Sequence, residues 1–120
     1  DKDYDLQLMS VSSLTERDVV ICISHTGSTK NLYELLRMAK KNHAYLILIS
    51  TQMKAPIAQL ADLVISVCGK ETMFHSESTS ARMAEMAVID SIMAVVAKNH
   101  LDDYSDLLNK SRLATAKNKF

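Results

Sequence analysis

The sequence predicts an α/β fold, a three-layer αβα sandwich built around a parallel sheet. Three short runs rich in β-branched and apolar residues carry the first observation: Val19 to Ile23 (VVICI), Tyr45 to Ile49 (YLILI) and Leu63 to Val67 (LVISV). None shows polar alternation, the pattern of parallel strands covered on both faces. The second observation is that a helical stretch separates each run from the next, which defines βαβ units and a doubly wound sheet. Glycine and proline together supply only 3 of 120 residues, so long helices joined by short loops are expected.

Between the first two runs, Leu32, Leu35, Leu36 and Ala39 recur at helical spacing, with Lys30, Glu34, Arg37 and Lys41 turned away. This is an amphipathic helix covering the sheet. After the second run, Pro56 suits the first turn of a short helix ending near Ala61-Asp62. From about Thr79 to His100, the residues Met83, Ala84, Ala87, Val88, Ser91, Ile92, Val95 and Val96 predict a long helix with that face inward. A last helix, roughly Asp102 to Lys117, begins acidic and ends basic, as the helix dipole prefers. Its apolar face is thin and suits packing on a partner subunit. The stretch before Thr15 reads as a further helix with Leu6, Met9 and Leu14 inward.

A chain of 120 residues has room for one domain. Leu, Ile, Val and Phe make up 32 of them, enough for a sizeable core. Fourteen basic residues balance fourteen acidic ones and are spread along the chain, so no footprint for nucleic acid or an anionic membrane is visible. No apolar run reaches the ~18 residues that span a bilayer, and the polar N-terminus is no signal peptide. Cys22 and Cys68 lie in apolar runs without metal-ligand spacing and read as buried, reduced thiols of a cytoplasmic protein. A chain that starts at Asp1 reads as a piece of something longer.

The chemically richest segment is Ser24-His25-Thr26-Gly27-Ser28-Thr29, which joins the first strand to the amphipathic helix at the edge where open α/β sheets place ligands. Four hydroxyls, a glycine that lets backbone approach, and the amides of a helix N-terminus suit a phosphate. N-capping by Ser28 or Thr29 is the bland alternative. Three or four charge-assisted bonds at roughly 1.5–3 kcal/mol each stand against an association cost of ~4–15 kcal/mol. The loop alone therefore binds inorganic phosphate weakly, and affinity must come from what carries the phosphate. The segment is neither a Walker loop nor a dinucleotide fingerprint.

Four segments in order, DVVICISHTGSTKNL, the stretch from Ala39 to Ser50, Ala55 to Ile65, and Ser78 to Asp90, resemble the sugar isomerase (SIS) domain. Within that family they resemble the C-terminal effector domain of RpiR-type transcriptional regulators. The resemblance implies a flavodoxin/Rossmann-type sandwich in which Ser24, Thr26, Gly27 and Thr29 hold the phosphate of a phosphosugar. It also implies sugar contacts from Glu71 and from the head of the long helix at Ser78 and Thr79, where a solvated loop and N-capping are the alternatives. Family domains begin with a helix and strand that complete the pocket; no such unit precedes Val19, so the first strand is expected at a sheet edge. The helix-turn-helix through which such regulators bind DNA is also absent from this sequence.

The expected function is that of a phosphosugar-sensing module, homo-oligomeric as a dimer or tetramer, with no cofactor, metal or catalytic residue of its own. The rival is an aldose–ketose phosphosugar isomerase, with Glu71 or a histidine moving the proton; a dimerisation piece with a degenerate pocket is a third reading. Among the histidines, His25 is expected to contribute through its backbone. His75 is the best enzymatic candidate, His43 lies in a solvated turn, and His100 ends a helix.

Overall fold

The computed structural model describes residues 3–25, 29–68 and 79–118. Strands β1 (Val19–Ser24), β2 (Tyr45–Ser50) and β3 (Leu63–Ser66) form a parallel sheet in the order β1-β2-β3. Helix α1 (Tyr4–Ser12) precedes β1, α2 (Lys30–Lys41) links β1 to β2, and a short 3-10 helix (Pro56–Leu60) links β2 to β3. Helices α3 (Thr79–Asn99) and α4 (Leu101–Thr115) follow, the latter ending in a 3-10 turn. The chain divides into two compact units, Asp1–Glu85 and Met86–Phe120.

The α/β fold is the one the βαβ spacing predicts, and the core of the first unit shows why it forms. Cys22, Leu36, Leu46, Leu48 and Ile57 make one buried cluster, with Val20, Leu32, Tyr33, Leu60 and Val64 packed against it. Residues two apart in a strand share a face, so Val20 and Cys22, Leu46 and Leu48, and Val64 meet α2 and the 3-10 helix together. The faces Lys30, Glu34, Arg37 and Lys41 present are exposed, as their helical spacing requires. β1 departs from the expectation of cover on both faces: Val19, Ile21 and Ile23 are each at least 40% exposed, while Cys22 and Ser24 are buried. β1 also has a single strand neighbour among the described residues, the edge position expected for it.

Two inward faces and one cysteine differ from the expected ones. In α1, Leu6 and Met9 are exposed, and Tyr4, Gln7, Leu8 and Val11 are half-buried. α1 is held to the end of α2 by the Asn42 amide, which donates to the Val11 carbonyl at 3.0 Å. In α3, Met83, Val95 and Val96 are exposed; the covered stripe runs through Ala81, Glu85, Val88 and Ile92, of which only Val88 and Ile92 belong to the expected face. Cys68 lies beyond the end of β3 and is exposed, so it is not the buried thiol expected. Cys22 is buried, and that burial pushes its thiol pKa up to about 11, which makes it an inert core residue.

α2 ends in a Schellman motif. The Ala44 N–H donates to the Ala39 carbonyl at 3.1 Å and the His43 N–H to the Lys40 carbonyl at 3.0 Å. That geometry sets His43 at φ 63, the left-handed region where a Cβ is unfavourable. Ala39 and Ala44 are both buried and complete the motif's apolar contact. His43 itself is exposed, as expected.

Asp62 ties three elements together at the opposite end of the sheet from Ser24. Its carboxylate accepts from Lys40 Nζ at 2.6 and 2.7 Å and from the Leu46 N–H at 2.7 Å. The Lys40 ammonium first, and then the Leu46 amide, hold the Asp62 carboxyl below its ordinary range.

Two outcomes are expected in thermal unfolding. His43→Gly stabilises the chain by about 1 kcal/mol, because glycine adopts the left-handed conformation without the Cβ clash. Asp62→Asn destabilises it by about 1 kcal/mol at pH 7. A lowered folded-state pKa means that this stabilisation is present above the ordinary carboxylate value of ~3.9 and fades as pH falls through the lowered one. The gap between Asp62→Asn and the unaltered chain therefore closes on acidification; a constant gap from pH 7 to pH 2 counts against the ion pair.

Candidate functional site

The carboxyl ends of the three strands finish in a row of serines. Ser24 is in register with Ser50, and Ser50 with Ser66. Matched residues of parallel strands point to the same face, here the face that α2 covers. Ser50 is fully buried; its hydroxyl accepts from the Gln52 N–H at 3.1 Å and its carbonyl from the Val67 N–H at 3.0 Å. Ser24 is 7% exposed. Ser24 and Ser50 thus form the floor of the edge, while Ser66 at the end of β3 is exposed.

Above that floor, Thr29 holds the N-cap position of α2 with extended backbone, and its side chain makes no capping hydrogen bond. Thr29 is exposed. The first-turn amides of a helix have no carbonyl one turn back to accept from them, and no acidic residue lies in the first turn of α2. Such a terminus favours an anion, through both the amides and the dipole. Thr29 therefore occupies the N-cap position without the side-chain bond of the bland alternative, and Ser28, the other residue named for it, lies outside the described residues.

His25, the residue after β1, is fixed from two sides. Its carbonyl accepts from Thr51 Oγ1 at 2.7 Å, a bond from the residue after β2. Its Nδ1 lies 3.5 Å from Oε1 of Glu85 on α3, both within the first unit. The His25 side chain keeps 24% of its exposure and that of Glu85 only 9%. His25 thus contributes a side-chain contact as well as the backbone expected of it. Glu85 Oε1 is shut off from solvent and makes no hydrogen bond to any described residue.

Glu85 is the residue that the sequence reading missed. Its signal was present: Ala81, Glu85, Val88 and Ile92 fall on one stripe, and an acid set within an apolar stripe is the anomaly that marks a buried charge. Of the candidates read from sequence, the structure brings Ser24, His25 and Thr29 to one corner, at the end of β1 and the head of α2. Thr79 is exposed and is the first residue of α3, six positions before Glu85. Thr26, Gly27, Ser28, Glu71, His75 and Ser78 lie outside the described residues.

Two other features lie elsewhere. A groove of about 450 Å³ runs between α1, β1 and α2, lined by Leu6, Val11, Ile21, Ile23 and Leu35 among others. None of the candidate residues lines it, and its walls are mostly apolar and carry no cation. Among the described residues, no group of three or more His, Cys, Asp or Glu side chains is arranged for a metal ion, and no helix is long and apolar enough to cross a membrane.

A parallel sheet with α2 leading away from its carboxyl edge defines the class: an α/β domain whose β1–α2 junction lies where open sheets of this kind place ligands. The family follows from comparison with known proteins, because residues 1–97 match the SIS domain, and the chain belongs to that family. It is 32% identical to the HTH-type transcriptional regulator RpiR of Escherichia coli K12 over 109 residues, 91% of this chain and 37% of that protein. It is 33% identical to the HTH-type transcriptional regulator HexR of the same strain over 118 residues, 98% of this chain and 40% of that protein. Among solved structures, the Vibrio vulnificus NanR protein complexed with ManNAc-6P superposes with a TM-score of 0.82 at 16% identity. That match covers 99% of this chain and 45% of NanR, and at such identity it concerns the fold. The chain spans well under half the length of both curated relatives.

Proposed function

We propose that this chain is the phosphosugar-sensing domain of an RpiR-type transcriptional regulator. A sugar phosphate binds at Ser24 to Thr29 and shifts how the parent protein engages DNA. In this reading residues 1–120 belong to one phosphosugar-binding domain that works in the cytoplasm. DNA contact is made by a helix-turn-helix elsewhere in the parent protein, and no membrane is involved. The observation that carries the reading is the head of α2: an N-cap hydroxyl not used for capping, with no acid in the first turn. The names of RpiR and HexR as regulators, and the ManNAc-6P of the NanR complex, support a sugar phosphate as the signal.

A homo-oligomer suits the second unit, where Leu101, Leu107, Leu108 and Leu113 of α4 are all more than 40% exposed and need cover. The second reading is a phosphosugar isomerase. The pairing of a histidine with a buried carboxylate favours it, since such a pair can shuttle a proton between adjacent carbons. Turnover of a hexose or pentose phosphate above background, lost on His25→Gln, would select the isomerase.

Calorimetry with sugar phosphates and the corresponding free sugars tests the sensing reading: only the phosphorylated members should bind. Thr29→Val should weaken them by about 1–3 kcal/mol, the cost of a hydrogen bond to a charged group left unmade. Equal binding with and without phosphate, or a Thr29→Val variant that binds normally, removes the loop from the mechanism.

A further inference from the structure

We infer that α4 pairs antiparallel with α4 of a second copy of this chain, along the stripe Leu101, Tyr104, Leu108, Ser111 and Thr115, with Asp103 of each copy set against Lys110 of the other. The inference rests on the homo-oligomer proposed above and names the surface and the orientation that form it.

Helix α4 calls for a partner because every residue from Leu101 to Thr115 is exposed. A helix of 15 residues is marginal in water by itself, and burial of one face is what normally holds it. His100 at its N-cap adds no side-chain bond. Leu101, Tyr104 and Leu108 recur at intervals of three and four, and Ser111 and Thr115 continue the line; this is the seam spacing of paired helices. Thr115 donates its hydroxyl to the Ser111 carbonyl at 3.1 Å, so that proton needs no acceptor across the seam. Leu107 flanks the seam, whereas Leu113 falls on the opposite side of the helix. All of α4 lies beyond residues 1–97, the part matched to the SIS domain.

Charge decides the occupant and its direction. Asp103 and Lys110 stand two turns apart and line one edge of the seam, while Arg112 lines the other. In an antiparallel pair related by a two-fold axis, each edge meets the same edge of the partner in reverse order. With the axis near Asp106, Tyr104 packs against Leu108 of the partner, and Asp103 meets Lys110 twice. A parallel pair brings opposite edges together and sets Lys110 beside Arg112, two like charges. The helix is thus complementary to itself in one orientation, which a partner of any other kind does not require. The antiparallel dipoles add to the preference.

Sedimentation equilibrium of the full chain over a range of concentrations tests this, and a reversible dimer is expected. Leu108→Glu should leave a monomer, while Leu113→Gln, on the outer side, leaves the dimer unchanged; both introduce good helix formers, so propensity does not separate them. Asp103→Lys and Lys110→Asp should each weaken the dimer by about tenfold, because two exposed pairs turn from attraction to repulsion. An equimolar mixture of those two chains should restore it. A Lys110→Asp chain that dimerises more tightly marks a parallel pair and overturns the inference. Unchanged affinity on both charge substitutions, or loss of the dimer on Leu113→Gln, overturns it too. A dimer indifferent to Leu108→Glu overturns it and leaves the homo-oligomer standing, and a chain that stays monomeric overturns both. Where circular dichroism shows that a variant loses helix, cross-linking decides, in a chain carrying Cys68→Ser. Leu101→Cys and Ser111→Cys chains should form a disulfide with each other when mixed; disulfides within each variant alone, or none at all, overturn the pairing.

Discussion

The packing of α2 on β2 is the constraint from which the rest of the first unit follows. Leu35, Leu36 and Ala39 on the helix and Leu46 and Leu48 on the strand are all no more than 4% exposed. Burial of large side chains of this kind contributes roughly 1.5–3 kcal/mol each. Because α2 is a rigid rod, fixing its middle on the sheet also fixes its two ends. The far end closes in the Schellman turn at His43 and hands the chain to β2. The near end brings Thr29 to the carboxyl edge, one short loop from Ser24. An apolar contact thus decides where the polar site lies.

The edges of the sheet are secured by polar groups of opposite purpose. At one end Asp62 binds Lys40 and the Leu46 amide, closing the sheet with charge. At the other, Ser50 and Thr51 use neutral hydroxyls to hold the turns after β2 and β1. The contrast suits an anion site: a permanent cation such as Lys40 would bind any phosphate, whereas neutral donors bind weakly and leave discrimination to the remainder of the ligand.

Strand positions and helix order were legible in the sequence because each depends on local periodicity. Three apolar runs separated by amphipathic spacing have few alternatives in an α/β chain. What escaped depends on which neighbour covers a face. The runs of β1 and β2 look alike, yet Ile21 and Ile23 are exposed while Ile49 is fully buried, since cover comes from elements distant in sequence. Leu6, Met9 and Met83 are apolar residues on faces that this unit does not cover. Periodicity finds a stripe but not its phase when, as in α3, small and large apolar residues ring the helix.

Glu85 escaped for a more instructive reason. Charged residues are normally assigned to the solvent face, and that rule holds for Lys30, Glu34 and Arg37. Applied to α3 it rotates the helix until Met83 faces inward and Glu85 outward, which is the reverse of what the coordinates show. Val88 and Ile92 lie on both the expected and the observed face, and Ala81 decides between them: its burial carries Glu85 inside with it. A residue that violates patterning in a chain otherwise consistent with it is where function is to be sought. Here the violation falls beside His25, at the carboxyl end of β1.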